Sequence, residues 1–96
     1  MIVLIAQYLT KPEETDAILA DLRRMAEQVE QHEPGCLLYR VHQAWDHPNQ
    51  LLLYEAYRDQ DSLDAHAETP YFQEIVLGRV VPKLLERKRS LWHALP

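Results

Sequence analysis

Glycine is scarce in this sequence, since only Gly35 and Gly78 occur among 96 residues and they lie far apart. Dinucleotide-binding and phosphate-binding loops need several glycines within a few residues, so that backbone N–H groups can approach the phosphates. The sequence therefore excludes a nucleotide held by either kind of loop. If the protein is an enzyme, we expect it to use no nucleotide bound in the usual way.

Cysteine and basic residues are also few. Cys36 is the single cysteine, which excludes an internal disulfide and a thiolate metal cluster. No two histidines are spaced as metal ligands beside an inward carboxylate, so we predict no metal site. Fifteen acidic residues against ten basic ones give a net charge of −5, which argues against a nucleic-acid partner. The one basic run, residues 87–89, lies at the predicted end of a helix, where positive charge complements the helix dipole.

Long hydrophobic runs are absent as well. The apolar segment 1–6 is only about as long as a strand, and it lacks the basic lead and the cleavage site of a signal peptide. No other run approaches the roughly 20 apolar residues of a membrane span. We therefore expect a cytoplasmic protein without membrane association, folded as one domain over residues 1–96.

The apolar patterns that are present predict the element order β-α-β-β-α-β, with one short additional helix. The predicted strands cover 2–9, 36–43, 50–58 and 88–95, and the helices cover the segment between Pro12 and Glu33, 60–67 and 69–87. Pro82 falls inside the last helix and predicts a kink or a break. The fold class is α+β, with a ferredoxin-like antiparallel sheet covered by helices on one face.

Two of these elements carry further predictions. The first helix has an apolar stripe at Ile18, Leu22, Met25 and Val29, with Asp21, Arg24, Glu27 and Gln28 expected in solvent. The strand 50–58 is apolar on both faces, although an antiparallel sheet normally leaves one face wet. We expect a second copy of the chain to cover the other face in a two-fold dimer.

His66 and Glu55 are the two residues that stand out as candidates for chemistry. His66 follows Leu63 by three residues on one helix face, so its imidazole, which titrates near neutral pH, points inward. Glu55 shares a strand face with Leu53 and Tyr57, where a carboxylate is costly unless it is paired. Either residue has a purely structural interpretation as a hydrogen-bonded core residue. The functional interpretation is a proton carrier and its partner.

Three aromatic residues, Tyr39, Tyr57 and Phe72, are predicted to border the same space between helices and sheet. They either belong to the core or hold a flat small-molecule substrate by stacking and hydrogen bonding.

Three segments together resemble the antibiotic biosynthesis monooxygenase family, which includes small cofactor-independent quinol monooxygenases. The matching segments are Glu33-Pro34-Gly35-Cys36 with Leu37 and Tyr39, then Tyr54-Glu55-Ala56-Tyr57-Arg58-Asp59, then Leu63-x-x-His66-x-x-Thr69-Pro70-x-Phe72. The resemblance implies a dimeric α+β barrel in which two sheets face each other, with a pocket between sheet and helices in each subunit.

The resemblance also bears on activity. Tyr57 stands where family members typically have a tryptophan, which in haem-degrading members presses on the porphyrin, so haem is disfavoured. Segment 54–59 and the ending 87–96 look especially similar to the branch that isomerises a phosphorylated autoinducer-2 dione.

Three hypotheses follow. In the first, the protein is a cofactor-free monooxygenase in which His66, Glu55 and Tyr57 act on a quinol or phenol held by Tyr39 and Phe72. In the second, His66 and Glu55 isomerise a small hydroxy-dione whose phosphate meets Arg40 or Arg58. In the third, the protein is a dimeric ligand-binding domain without catalysis, and a filled space between helices and sheet would support it.

Overall fold

A computed structural model describes residues 1–96. The strands are β1 (Ile2–Thr10), β2 (Cys36–Gln43), β3 (Gln50–Tyr57) and β4 (Leu84–His93). The helices are α1 (Thr15–His32), α2 (Gln60–Glu68) and a π-helix (Phe72–Val80), with 3-10 turns at Pro12–Glu14 and Val81–Lys83. None of the helices combines the length and the apolar composition that a bilayer crossing requires.

The four strands form one antiparallel sheet in the order β2-β3-β1-β4. The two strands that follow one another through α1 are therefore not neighbours, because β3 lies between them. This is the ferredoxin-like arrangement predicted from the element order. It places β3 in the interior of the sheet and β4 at an edge.

One face of the sheet packs against the helices. Leu4, Ala6 and Tyr8 of β1 form a buried cluster with Ile18 and Leu22 of α1. A second buried cluster joins α1 to the π-helix through Met25, Val29, Phe72, Ile75 and Val76. The apolar stripe predicted for the first helix is therefore the stripe that faces the core.

The opposite face, called here the outer face, carries no helix. Its apolar side chains come mainly from the two inner strands, namely Val3, Ile5, Leu9, Leu52, Tyr54 and Ala56. Trp92 of β4 pairs in register with Val3 and remains 57% exposed. Apolar side chains therefore occupy both faces of β3, as predicted.

The last helix is shorter than predicted. The sequence pattern extended it to residue 87, but the π-helix ends at Val80 and β4 begins at Leu84. Pro82 has no backbone N–H to continue a helix, and it lies in the 3-10 turn that separates the two elements. The basic run 87–89 therefore belongs to an edge strand, and the prediction that it caps a helix is wrong.

Asp21 is a second correction, because it was expected in solvent and is 3% exposed. Both of its carboxylate oxygens lie 3.1 Å from Nε of Arg79 on the π-helix, and Oδ1 lies 3.1 Å from a guanidinium nitrogen of Arg24. These charge-assisted hydrogen bonds tie α1 to the π-helix.

The turn that ends α1 lies directly on the first turn of α2. A Cβ atom on Gly35 would stand 2.2 Å from Oγ and 2.7 Å from Cβ of Ser62, so only glycine allows this approach. The Gly35 carbonyl accepts a hydrogen bond of 2.8 Å from the N–H of Arg58. Asp59 caps α2 by accepting a 2.8 Å hydrogen bond from the Ser62 N–H. These contacts fix α2 relative to the end of α1.

Candidate functional site

His66 lies on the inward face of α2 and is 4% exposed, as its spacing from Leu63 predicted. Its Nδ1 lies 2.9 and 3.1 Å from the two carboxylate oxygens of Glu33. A ring nitrogen held against a carboxylate carries the proton of the neutral imidazole, so we assign the proton to Nδ1. The other nitrogen, Nε2, is then free to accept a proton.

Glu33 is a residue of this site that the sequence did not single out as a candidate for chemistry. It marked the end of the first helix and the start of one family-like segment, and its N–H donates to the carbonyl of Val29. Its carboxylate accepts hydrogen bonds from both His66 and the Tyr71 hydroxyl, which fix its orientation. The sequence did contain a signal for this residue. An acidic residue at the carboxyl end of a helix interacts unfavourably with the helix dipole, which predicts a compensating partner.

Glu55 and Tyr57 form the second half of the site on β3. The Tyr57 hydroxyl donates to Oε1 of Glu55 at 2.5 Å, and Nε2 of His66 lies 3.8 Å from the same oxygen. Burial raises the pKa of the Glu55 carboxyl, and burial together with the charge of Glu55 raises the pKa of the Tyr57 hydroxyl. Tyr57 is therefore a proton donor in the hydrogen bond and does not act as a phenolate.

Aromatic rings surround the imidazole on three sides. The ring centroids of Tyr39, Tyr57 and Phe72 lie 5.9, 5.4 and 5.2 Å from that of His66. Phe72 opens the π-helix, and such wide turns are frequent at functional sites. The structure therefore brings together all five residues singled out from the sequence.

Cys36 lies at the border of this cluster but contributes no reactive thiolate. Its thiol donates to the Leu38 carbonyl at 3.4 Å, and burial raises its pKa to about 11. The two arginines considered for a phosphate are also outside the cluster. Arg40 is exposed on the outer face, and Arg58 lies beside Asp59 with 63% of its side chain in solvent. Neither arginine forms an ion pair with Glu33 or Glu55.

Access to His66 is restricted, since the surrounding rings fill the space between helices and sheet. The nearest sizeable opening, called here the α2–β4 cleft, has a volume of about 370 Å³. It is lined by Leu4, Leu63, Ala67 and Leu91, with Gln60, Asp64, Arg89 and Ser90 at its polar side. Leu63 and Ala67 flank His66 on α2, and Leu4 pairs in register with Glu55. One layer of side chains therefore separates this cleft from the site.

The raised pKa of Glu55 predicts a pH-dependent stability. The native state holds this proton more tightly than the unfolded chain, so the free energy of unfolding falls as pH rises from about 4.5 through the native pKa. We expect Glu55→Gln to be more stable than the original chain at pH 7.5, and the difference to shrink toward about pH 4. Urea unfolding of both proteins at the two pH values measures this.

Glu27→Gln, at an exposed position of α1, is the matched control and should show no such pH-dependent gain. If the free energy of unfolding of Glu55→Gln is lower than that of the original chain by the same amount at both pH values, ionisation of the Glu55 carboxyl does not destabilise the native state as expected.

Comparison with known proteins identifies the family. The sequence model for antibiotic biosynthesis monooxygenases matches residues 1–76. An uncharacterised protein of Synechocystis is 32% identical over 75 residues, which cover 78% of this chain and 50% of that protein. The chain thus spans about half the length of this curated relative.

Solved structures agree over the whole fold. A crystal structure of an antibiotic biosynthesis monooxygenase is 29% identical, with both chains covered in full and a TM-score of 0.90. A protein of this family name from Nitrosomonas europaea is 30% identical, again over both complete chains, with a TM-score of 0.92. A conserved protein of Methanosarcina mazei is 27% identical over 95% of this chain and 89% of its own, with a TM-score of 0.87. The family match and these structures establish that the chain belongs to the antibiotic biosynthesis monooxygenase family.

Proposed function

We propose that the protein is a cofactor-independent monooxygenase that oxidises a small aromatic quinol or phenol with O2. The observation that carries this proposal is the pairing of Glu33 with Nδ1 of His66, which leaves Nε2 as a base inside a buried aromatic cluster. Family membership supports the reaction class, and the resemblance in sequence supports the absence of a cofactor.

The first step is proton transfer. Nε2 of His66 takes the proton of the substrate hydroxyl, and the resulting imidazolium donates to Glu33 and faces Glu55. A buried carboxylate stabilises this charge more strongly than water would, because the surroundings are of low dielectric. The protein therefore lowers the cost of forming the electron-rich substrate anion.

The second step is oxidation of that anion by O2. One electron passes to O2, the two radicals combine at a ring carbon, and the O–O bond breaks. For a hydroquinone the balance is quinol plus O2 giving hydroxyquinone plus water, so the substrate supplies all four electrons that reduce O2 and both protons of the water. The contribution of the chain is to hold the ring between Tyr39 and Phe72 and to exclude bulk water.

Substrate entry requires side chains to move. His66 and Glu55 are 4% and 5% exposed, and the α2–β4 cleft is separated from them by Leu4 and Leu63. We infer that displacement of Leu63 opens the site from this cleft.

The filled cluster also favours one alternative, a dimeric ligand-binding domain in which His66 and the two glutamates only stabilise the core. The hydroxy-dione isomerase is the other alternative, since His66 and Glu55 lie 3.8 Å apart and suit a paired proton transfer. Its proposed phosphate contacts, Arg40 and Arg58, are both exposed side chains, and Arg58 lies beside Asp59.

Oxygen uptake by the purified, metal-free chain tests the proposal across a panel of reduced quinols and anthrones. We expect uptake above the uncatalysed rate with no added cofactor, and one atom of labelled O2 in the product. If no substrate raises the rate of uptake, the oxygenase proposal fails for this panel. Turnover of a hydroxy-dione without O2 would then favour the isomerase.

We also propose that the outer face is the interface of a homodimer. It carries half-buried apolar side chains of both inner strands, Ile5, Leu9, Leu52 and Tyr54, and the exposed Trp92, and a second copy buries them by two-fold symmetry. Light scattering should give about twice the mass of the 11.3 kDa chain, and Leu52→Glu on the outer face should give the monomer mass. Leu77→Glu on the exposed side of the π-helix is the control and should leave the dimer intact. A monomeric original chain contradicts the proposal.

A further inference from the structure

Two arginines on β4 point to the helix-covered side of the sheet. Arg87 pairs in register with Tyr8, and Arg89 pairs with Ala6. Paired residues of antiparallel strands project to the same side, and Tyr8 and Ala6 belong to the buried core. Both side chains therefore leave the edge strand on the side of the sheet that holds His66 and Glu55, where Arg87 is half-buried and Arg89 is exposed.

Neither arginine is neutralised within the chain. Arg24, Arg58 and Arg79 pair with aspartates, but no ion pair of the structure includes Arg87 or Arg89. Nε of Arg87 is buried and has no hydrogen-bond partner, which is unusual because an unsatisfied buried donor is costly. An unpaired buried donor beside a second free guanidinium is unexpected in a chain of net charge −5.

The second arginine opens onto the α2–β4 cleft. Arg89 lies at its polar side, while Leu4, Leu63 and Leu91 form an apolar wall. The one carboxylate on this cleft, that of Asp64, is held by the side-chain amide of Gln60 at 2.9 Å. Alternate residues of a strand are about 6.6 Å apart, a distance that lets two guanidinium groups approach one oxyanion.

The charges of both arginines reach the buried groups of the sheet. The charge of Arg87 lowers the pKa of the Tyr8 hydroxyl against the larger effect of burial, and the charge of Arg89 lowers the pKa of the Glu55 carboxyl against the same effect. A negative group held by this pair would therefore lie next to the proton-transferring residues, separated from them only by the wall of the cleft.

We propose that Arg87 and Arg89 form an oxyanion subsite at the α2–β4 cleft, which selects aromatic substrates that carry a carboxylate or a phosphate group. This inference rests on the proposed function in one respect, since it takes the aromatic ring of the bound molecule to be the group that reacts at His66. The apolar wall contacts the aromatic ring, and the arginines bind the charged substituent.

Calorimetry with two matched pairs of ligands, under argon, tests the subsite on the full chain. The pairs are 2,5-dihydroxybenzoate against its methyl ester, and phenyl phosphate against phenol. We expect the anion to bind at least about tenfold more tightly than its neutral partner in one pair or both. The pair with the larger ratio identifies the preferred oxyanion.

Variants assign the effect to the two arginines. Arg87→Gln and Arg89→Gln should each weaken binding of the anion about five- to tenfold and leave the neutral partner within twofold. Arg89→Lys should retain part of the preference, and Arg23→Gln, on an exposed position of α1, should retain all of it. Thermal unfolding of each variant confirms that it is folded.

The subsite is overturned if both members of each pair bind with equal affinity, or if neither anion binds. It is also overturned if the glutamine variants bind the anion and its neutral partner with an equal loss of affinity. These outcomes are separable from the oxygenase test. If anions bind through the arginines but no oxygen is taken up, the subsite proposal stands and the oxygenase proposal fails. If neutral quinols support oxygen uptake but anions are not preferred, the oxygenase proposal stands and the subsite proposal fails.

Discussion

Replacing His66 by glutamine is expected to lower kcat for quinol oxidation by about 10²- to 10⁴-fold, the range that a general base contributes. Glutamine keeps a polar side chain of similar reach, but it cannot take a proton at the position of Nε2. Because His66 makes its strong contact with Glu33 through Nδ1, the amide of glutamine can still donate to that carboxylate. Steady-state oxygen uptake at saturating quinol measures the loss.

The matched control is His47→Gln, since the His47 side chain is 56% exposed in the loop between β2 and β3. It should retain full activity. If His66→Gln also retains activity within threefold while remaining folded, His66 is not the base and the proposed mechanism is wrong.

Replacing Glu33 by glutamine is expected to lower kcat by about 10- to 100-fold, because one charge-assisted hydrogen bond contributes about 1.5–3 kcal/mol. The substitution keeps the shape of the side chain and an oxygen that can accept from Nδ1 of His66. It removes the negative charge that stabilises the imidazolium formed during turnover. In the proposed mechanism Glu33 acts through His66, as a positioning residue.

A spectroscopic measurement separates this role from a purely structural one. The Nδ1 proton of His66, shared with Glu33 at 2.9 Å, should give a downfield resonance that moves upfield in Glu33→Gln. Tyr71→Phe removes the second donor to the same carboxylate and should cost only a few-fold in kcat. An unchanged resonance together with unchanged kcat in Glu33→Gln contradicts the role assigned to Glu33.

Local periodicity was enough to predict most of the fold. Strands β1, β2 and β3 lie within one residue of their predicted bounds, because turn residues follow the apolar runs of β1 and β3 and the alternating run of β2. The last helix was extended too far, since Leu84 and Leu85 continue an apolar spacing that Pro82 interrupts. Asp21 was misplaced because its partner Arg79 is 58 residues away and invisible to a pattern within one helix.

The same difference between local patterns and contacts distant in sequence applies to the candidate site. The inward positions of His66, Glu55 and Tyr57 follow from spacing within a single element, and the sequence predicted them. The link between Glu33 and His66 spans 33 residues, and the link between Glu33 and Tyr71 spans 38. Contacts of that kind depend on how the turn after α1 meets α2, which propensity and periodicity do not specify.

The contact between Gly35 and Ser62 has a consequence for how this chain can evolve. Glu33 lies two residues before Gly35, and His66 lies one helical turn after Ser62. The contact between the backbone at position 35 and the side chain at position 62 is therefore one of those that hold the Glu33 carboxylate beside His66. An alanine at position 35 needs a glycine at position 62 to make room. The two positions are therefore a coupled pair, and descendants of this sequence that keep the Glu33–His66 pair should exchange these residues together or not at all.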